Sequence, residues 1–293
     1  IIIGFIVLGS LLLITNIGSF IGLSFIRLSA ESVIDVKMPL QQHMTQVQTQ
    51  LLYLGKLSLR DYYVDNLSEL SANHQYFVSL QQDYLRELQI LGELVVESEA
   101  KSYLKTGTTE SDAYLSDVDQ MYALQKRQLQ QASELSVSTE HALTKVNDAT
   151  ALLFDIEFLE NGDTDPVLQN LVGQGNNIDT QLAVVLNNFR ELQSTRNTDA
   201  AAQLIDDLNF AFRNVEQSVD YLVRSADGVN TDGLIDDFNA QWQGLSTFLM
   251  GSGGLLSKNN AQIEGALEAK RYLKSAESHL MTANKEFHSL YGI

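Results

Sequence analysis

Three observations predict an all-α fold. Apolar residues recur in steps of three and four along nearly the whole chain, and no stretch alternates with period two. The turn residues, both prolines included, fall between helical patterns rather than between strands. The first element stands apart from the others. Residues 1–26, IIIGFIVLGSLLLITNIGSFIGLSFI, carry no charge. As a helix they would reach roughly 39 Å, enough for a ~30 Å hydrocarbon core. The run is longer than the ~7–15 apolar residues of a secretory signal, and the RLSAES after it is a poor cleavage site. A transmembrane helix is expected over 1–27.

Beyond it, six helical segments are expected at about 27–64, 67–106, 110–161, 166–195, 198–225 and 231–293. Breaks are read at VDNLS (64–68), KTGTTES (105–111), NGDTDP (161–166), STRNTD (194–199) and ADGVNTDG (226–233). Several end in N-cap chemistry: Thr109 or Ser111, Asp165 ahead of Pro166, and Thr198 or Asp199. The seams between breaks are regular. Leu168, Leu171, Gly175, Ile178, Leu182, Val185, Phe189 and Leu192 step by three and four without a miss. Ala201, Leu204, Leu208, Ala211, Val215, Ser218 and Leu222 repeat the pattern, as do Leu273, Ala276, Leu280, Ala283, Phe287 and Leu290. Such a/d stripes belong to helices packed at shallow angles.

Segment lengths suggest the architecture. The fourth and fifth segments, at roughly 42–45 Å, can cover only half of the third and sixth, at roughly 78 and 95 Å. The remaining halves need the first and second. Two stacked four-helix bundles sharing two long helices follow: a proximal one over about 28–133 and 257–293, a distal one over about 134–256. The cluster FLMGSGGLLSKNN (248–260) then falls near the junction, level with SELSVST on the third segment, where Ser136 and Thr139 take seam positions. The cluster has neither the spacing nor the preceding strand of a phosphate loop. Interior glycines cost helix stability, which a joint tolerates. Whether that joint bends or only lets bundles abut is left open.

Composition narrows function. The chain has 293 residues, no cysteine and a formal charge of −18; residues 28–293 carry 18 basic against 37 acidic groups, or −19. Such a body repels nucleic acid. The five histidines, His43, His74, His141, His279 and His288, show no HExxH and no i, i+4 pair, so neither a metal site nor a cofactor is expected. No catalytic motif is present, and Trp242 reads as a core aromatic. A non-enzyme is expected.

The candidate site comes from where the seams turn polar. Ser58 and Asp61 extend the first seam after Leu40, Met44, Val47, Leu51 and Leu54. His74 and Gln81 share the second with Phe77, Tyr84, Leu88 and Leu91. Gln125 follows Leu115, Val118 and Tyr122, and Lys270 stands between Ala266 and Leu273. Counting from the membrane puts Lys270, Gln81 and Gln125 within about one turn, ~5.4 Å, with His74 and Ser58 higher. A buried lysine requires a partner. A carboxylate-sized ligand, an organic acid in the first instance, would supply one, with Arg60 and Arg127 in reserve. A polar layer that only fixes helix register is the alternative.

An apolar anchor over 1–27, six helical segments and a heptad running to Ile293 together resemble the helical bimodular sensor domain of bacterial methyl-accepting chemotaxis proteins. The periplasmic domain of the trimethylamine-oxide sensor histidine kinase shares that plan. The resemblance covers the whole chain and rests on architecture, with no short motif behind it. It implies an inner-membrane homodimer with a periplasmic body. That body would sense a small-molecule ligand or a ligand-loaded periplasmic binding protein, and displace its last helix to signal. A histidine-kinase or cyclase sensor, or a membrane-anchored structural protein without ligand, are the alternatives.

Overall fold

The computed structural model describes Ser24, residues 37–195 and residues 198–292. Apart from Ser24, the anchor expected over 1–27 lies outside them, as does the start of the helix expected from residue 27. Among the described residues no helix is long and apolar enough to cross a membrane, and regular structure is wholly helical. The helices are α1 (Met38–Tyr62), α2 (Leu67–Leu94), α3 (Ser98–Asp155), α4 (Pro166–Ser194), α5 (Thr198–Ser225), α6 (Leu234–Met250) and α7 (Leu255–Ser289). The described chain divides into unit 1, with residues 37–64, 68–122 and 272–292, and unit 2, with 65–67 and 123–271. Helices α3 and α7 supply residues to both.

Unit 1 is a core of four helical stretches. Met44, Val47, Leu51, Leu54 and Leu57 of α1 meet Phe77, Tyr84, Leu88 and Leu91 of α2. Tyr114, Leu115, Val118 and Met121 of α3 and Leu273, Ala276, Ala283 and Phe287 of α7 complete it. Two glycines let helices approach closely. Leu280 presses onto Gly55, and a Cβ on Gly107 would stand 2.7 Å from the Phe287 ring.

Gly107 lies in the stretch KTGTTES, where the sequence predicts a break. The structure instead carries α3 through it and interrupts the chain at residues 95–97. Hydroxyls explain the first part. Thr106 donates to Ser102 O at 3.1 Å, Thr108 to Leu104 O at 2.8 Å and Ser111 to Thr108 O at 2.9 Å, so these side chains bond back along the helix instead of capping it. Neither Thr109 nor Ser111 is an N-cap. The observed break falls at Val95-Val96-Glu97, which holds no Gly or Pro. Val95 is buried there at 3% exposure while Val96 beside it is 72% exposed.

Unit 2 buries the fourth-segment seam as predicted, from Leu168 to Leu192. Asp165 caps α4 by accepting from Val167 N at 2.8 Å, with Pro166 behind it. Gly175 brings α4 against α3, where a Cβ would lie 2.8 Å from that of Leu153. Trp242 is buried and stacks on Phe212 at 5.5 Å between centroids. The predicted sixth helix is two helices. Helix α6 stops at Gly251, whose N–H reaches Thr247 O at 2.9 Å, and Gly253 takes φ +83°. That is the left-handed region that glycine enters without strain. The interruption lies inside unit 2.

Candidate functional site

The seven residues singled out in the sequence divide between the units. Ser58, Arg60, His74 and Gln81 belong to unit 1, and Gln125, Arg127 and Lys270 to unit 2. Ser58 is buried at 3% exposure; His74, Gln81 and Gln125 are half-buried; Arg60, Arg127 and Lys270 are exposed.

Lys270 corrects the sequence reading. The seam running back from Leu273 continues through Ala269, which is fully buried, and not through Lys270. Either residue satisfies a three-or-four step. Burying a methyl side chain costs nothing, whereas a buried ammonium carries a desolvation penalty, so the helix turns Ala269 inward. Lys270 needs no buried counter-charge. Ser136, at an expected seam position, is exposed too, while Thr139 holds its place at 2% exposure and receives Gln193 Nε2 at 2.6 Å.

Ser58 leads to a buried polar layer in unit 1. The Tyr114 hydroxyl of α3 donates to Ser58 Oγ at 3.2 Å, and Ser58 donates to Gly55 O at 2.9 Å. Asp61, one turn along α1, is 3% exposed, and its Oδ1 has no hydrogen-bond partner. Burial pushes its carboxyl up to about 6, against the pull of Arg60 and Asn73 and with a further push from Glu69. The Arg60 Nε lies 3.7 Å from Asp61 Oδ1. Tyr84 of α2 is fully buried, its hydroxyl beside Ser111 without completing a hydrogen bond. Burial pushes both phenols, Tyr84 and Tyr114, well above the ordinary tyrosine range. The Tyr114–Ser58 bond ties α3 to α1 within this layer.

His74 packs among aromatic rings. Its ring stacks on Tyr122 with centroids 3.5 Å apart and lies parallel to Phe77 at 6.1 Å. Two other histidines pair with carboxylates across helices: His43 Nδ1 with Glu87 at 2.7 Å, and His279 Nδ1 with Glu110 at 2.6 Å. Among the described residues no group of three or more His, Asp or Glu side chains could hold a metal ion.

Sequence reasoning reaches Ser58, Asp61 and Tyr84 but misses Ser111 and Tyr114. Ser111 looks like a cap in the sequence, and Tyr114 lies one residue before Leu115, the expected seam position. Unit 2 also carries recesses. One, of about 420 Å³, sits at the glycine interruption between Met250 and Glu264. Another, of about 390 Å³, lies between α4 and α5.

No protein-family model matches the chain, and no curated protein is similar to it in sequence. Solved structures do share its fold. The sensor domain of the V. parahaemolyticus histidine kinase sensor TorS aligns with a TM-score of 0.65 at 11% identity, over 86% of this chain and 99% of that one. A TorS sensor domain solved in complex with TorT, in the presence of TMAO, aligns with a TM-score of 0.57 at 12% identity, over 86% and 97%. At such identities the likeness establishes the fold: this chain has the all-helical fold of the TorS sensor domain.

Proposed function

We propose that this chain is the sensory region of a membrane-anchored histidine-kinase-type receptor, with its body in the periplasm, and that it reads a partner protein. The observation that carries this is the fold likeness, which takes in nearly the whole of the TorS sensor domains and 86% of this chain. One of those domains was solved bound to a protein, TorT. The chemoreceptor reading, with a small ligand bound directly, has less support, because its central residue Lys270 is exposed. The body carries signal rather than chemistry.

The mechanism is a choice between two helix arrangements. A partner that binds one of them better shifts the population by no more than that difference in affinity. Helix α7, the last, would pass the shift on as a small translation or rotation. A homodimer through α1 suits this scheme. Leu52, Leu59 and Tyr63, spaced by seven and four on one face, are 51%, 41% and 65% exposed. The net charge of −19 on residues 28–293 opposes association of free bodies, so tethering in a membrane would be needed.

The test is reconstitution of the full receptor in nanodiscs. Autophosphorylation is followed as purified substrate-binding proteins are added with and without their ligands, and as small organic acids are added alone. Dependence on a loaded binding protein supports the proposal. A response to an acid alone returns the chemoreceptor-like reading, and an output indifferent to every addition leaves a structural role. Cysteine cross-linking at Leu52 or Leu59 in membranes tests the dimer, and an absence of trapped dimer at either position counts against it.

A further inference from the structure

We infer that the groove between α4 and α5 in unit 2 is a binding site for a neutral, polyhydroxylated ligand of disaccharide size. The inference is independent of the signalling role. It starts from Ser218, the one polar residue in the otherwise apolar or small seam of α5, which opens into this groove. Gln174, Asn177 and Gln181 form the α4 wall at a spacing of three and four. Asn214, Gln217 and Tyr221 form the opposite wall on α5. The volume, about 390 Å³, falls within the ~300–1,000 Å³ of small-ligand sites.

The lining selects the chemistry. In a chain of net charge −18, none of the residues lining this groove carries a charge at neutral pH. A cation would find no carboxylate in the lining, and an anion would find no base while entering an acidic field. A neutral ligand meets neither obstacle. Amide side chains both donate and accept, as sugar hydroxyls do, so five amides and a serine match a polyol group for group.

The orientation of the two glutamines sharpens this. Gln174 Nε2 donates to Asn170 Oδ1 at 2.5 Å, and Gln181 Nε2 donates to Asn177 Oδ1 at 3.4 Å. Each amide is thus anchored through its nitrogen. Its oxygen, Gln174 Oε1 or Gln181 Oε1, is left buried with no hydrogen-bond partner. Buried acceptors without partners are rare and costly in folded proteins. A ligand rich in O–H donors that turns these side chains outward satisfies both. Tyr221, 57% exposed, offers a ring face to the C–H side of a pyranose, the remaining element of sugar recognition. A peptide segment fits less well, since its backbone brings one acceptor for each donor.

The experiment titrates the full chain in nanodiscs with maltose, cellobiose and N,N′-diacetylchitobiose, read by saturation-transfer NMR and calorimetry. Gln181→Met keeps the side chain's length and removes the unpartnered acceptor; Tyr221→Ala removes the ring. Saturable binding of at least one disaccharide is expected, weakened about 5- to 10-fold by Gln181→Met and comparably by Tyr221→Ala. Gln181→Met should also leave the melting temperature unchanged or raise it, because a buried unsatisfied oxygen is lost. The proposal is overturned if none of the three binds, or if binding ignores both substitutions. Binding of a peptide or protein alone, lost in the same variants, also overturns the sugar assignment.

Discussion

Replacing Asp61 by asparagine should stabilise unit 1 at neutral and alkaline pH and do nothing in acid. The reason is the direction in which burial moves the carboxyl, from 3.8 to about 6. Between those values the folded protein keeps the proton that the unfolded chain has released. Stability must therefore fall as pH rises through this window. Below pH 3.8 both states are protonated and the contribution vanishes; above about 6 the full penalty stands. At 1.36 kcal/mol per unit the ceiling is about 3 kcal/mol. Solvent relaxation near the end of α1 brings a realistic figure down to about 1–2 kcal/mol. The attraction to Arg60 is already contained in the value of about 6, since it acts to lower it. The Asp61→Asn side chain would keep the shape and drop the charge. Hydrogen exchange of peptides from α1 and α2 reads the local stability, comparing wild type and variant at the same pH so that intrinsic exchange cancels. A gain near pH 8 that shrinks towards pH 4 is expected. A gain of equal size at both, or a loss at pH 8, would refute the assignment of a penalised buried carboxylate.

Two glycine substitutions should move stability in opposite directions. Gly173→Ala meets nothing within 4 Å and should gain up to ~1 kcal/mol from helix propensity. Gly107→Ala, with its Cβ 2.7 Å from Phe287, should lose about 1 kcal/mol net, overpacking outweighing propensity; urea unfolding followed by circular dichroism distinguishes them, and stabilisation by Gly107→Ala would show that Phe287 yields freely. Tyr114→Phe removes the donor to Ser58, which keeps its own bond to Gly55 O. A loss of about 0.5–1.5 kcal/mol is expected in the same assay, and no loss would mean that the contact is nominal. Lys270→Met should change thermal stability by less than about 0.5 kcal/mol, as for other exposed positions; a large change in either direction would contradict its exposure.

What the sequence made legible is the spacing of large apolar residues. The α4 seam from Leu168 to Leu192 is buried position for position, because a long unbroken run of steps admits one helical phase. Phase fails where two adjacent residues both fit the step and the large apolar side chains are sparse. Ala269 and Lys270 are such a pair, and desolvation rather than spacing decides between them. Breaks fail for a related reason. Gly107 and its hydroxyl neighbours look like a turn until the Phe287 ring is seen to need the missing Cβ, a contact between residues far apart in sequence. The break at residues 95–97 carries no turn residue at all.

The candidate sites expose a deeper asymmetry. Seam spacing points to inward-facing positions, and so to Ser58 and Asp61, both buried in unit 1. A protein that reads a partner, or takes a sugar from solvent, does so with positions just off the seam. Gln174, Asn177 and Gln181 each flank a buried residue of α4 (Gly175, Ile178 and Leu182) and repeat its spacing one place earlier. Taken alone they are ordinary polar residues on a solvated helix face. They become a site only because α5 sets Asn214, Gln217 and Tyr221 opposite them, while the Asn170 and Asn177 oxygens hold the nitrogen of each glutamine. The core seam thus acts on function indirectly: by holding α4 and α5 in register, it decides which off-seam amides face one another.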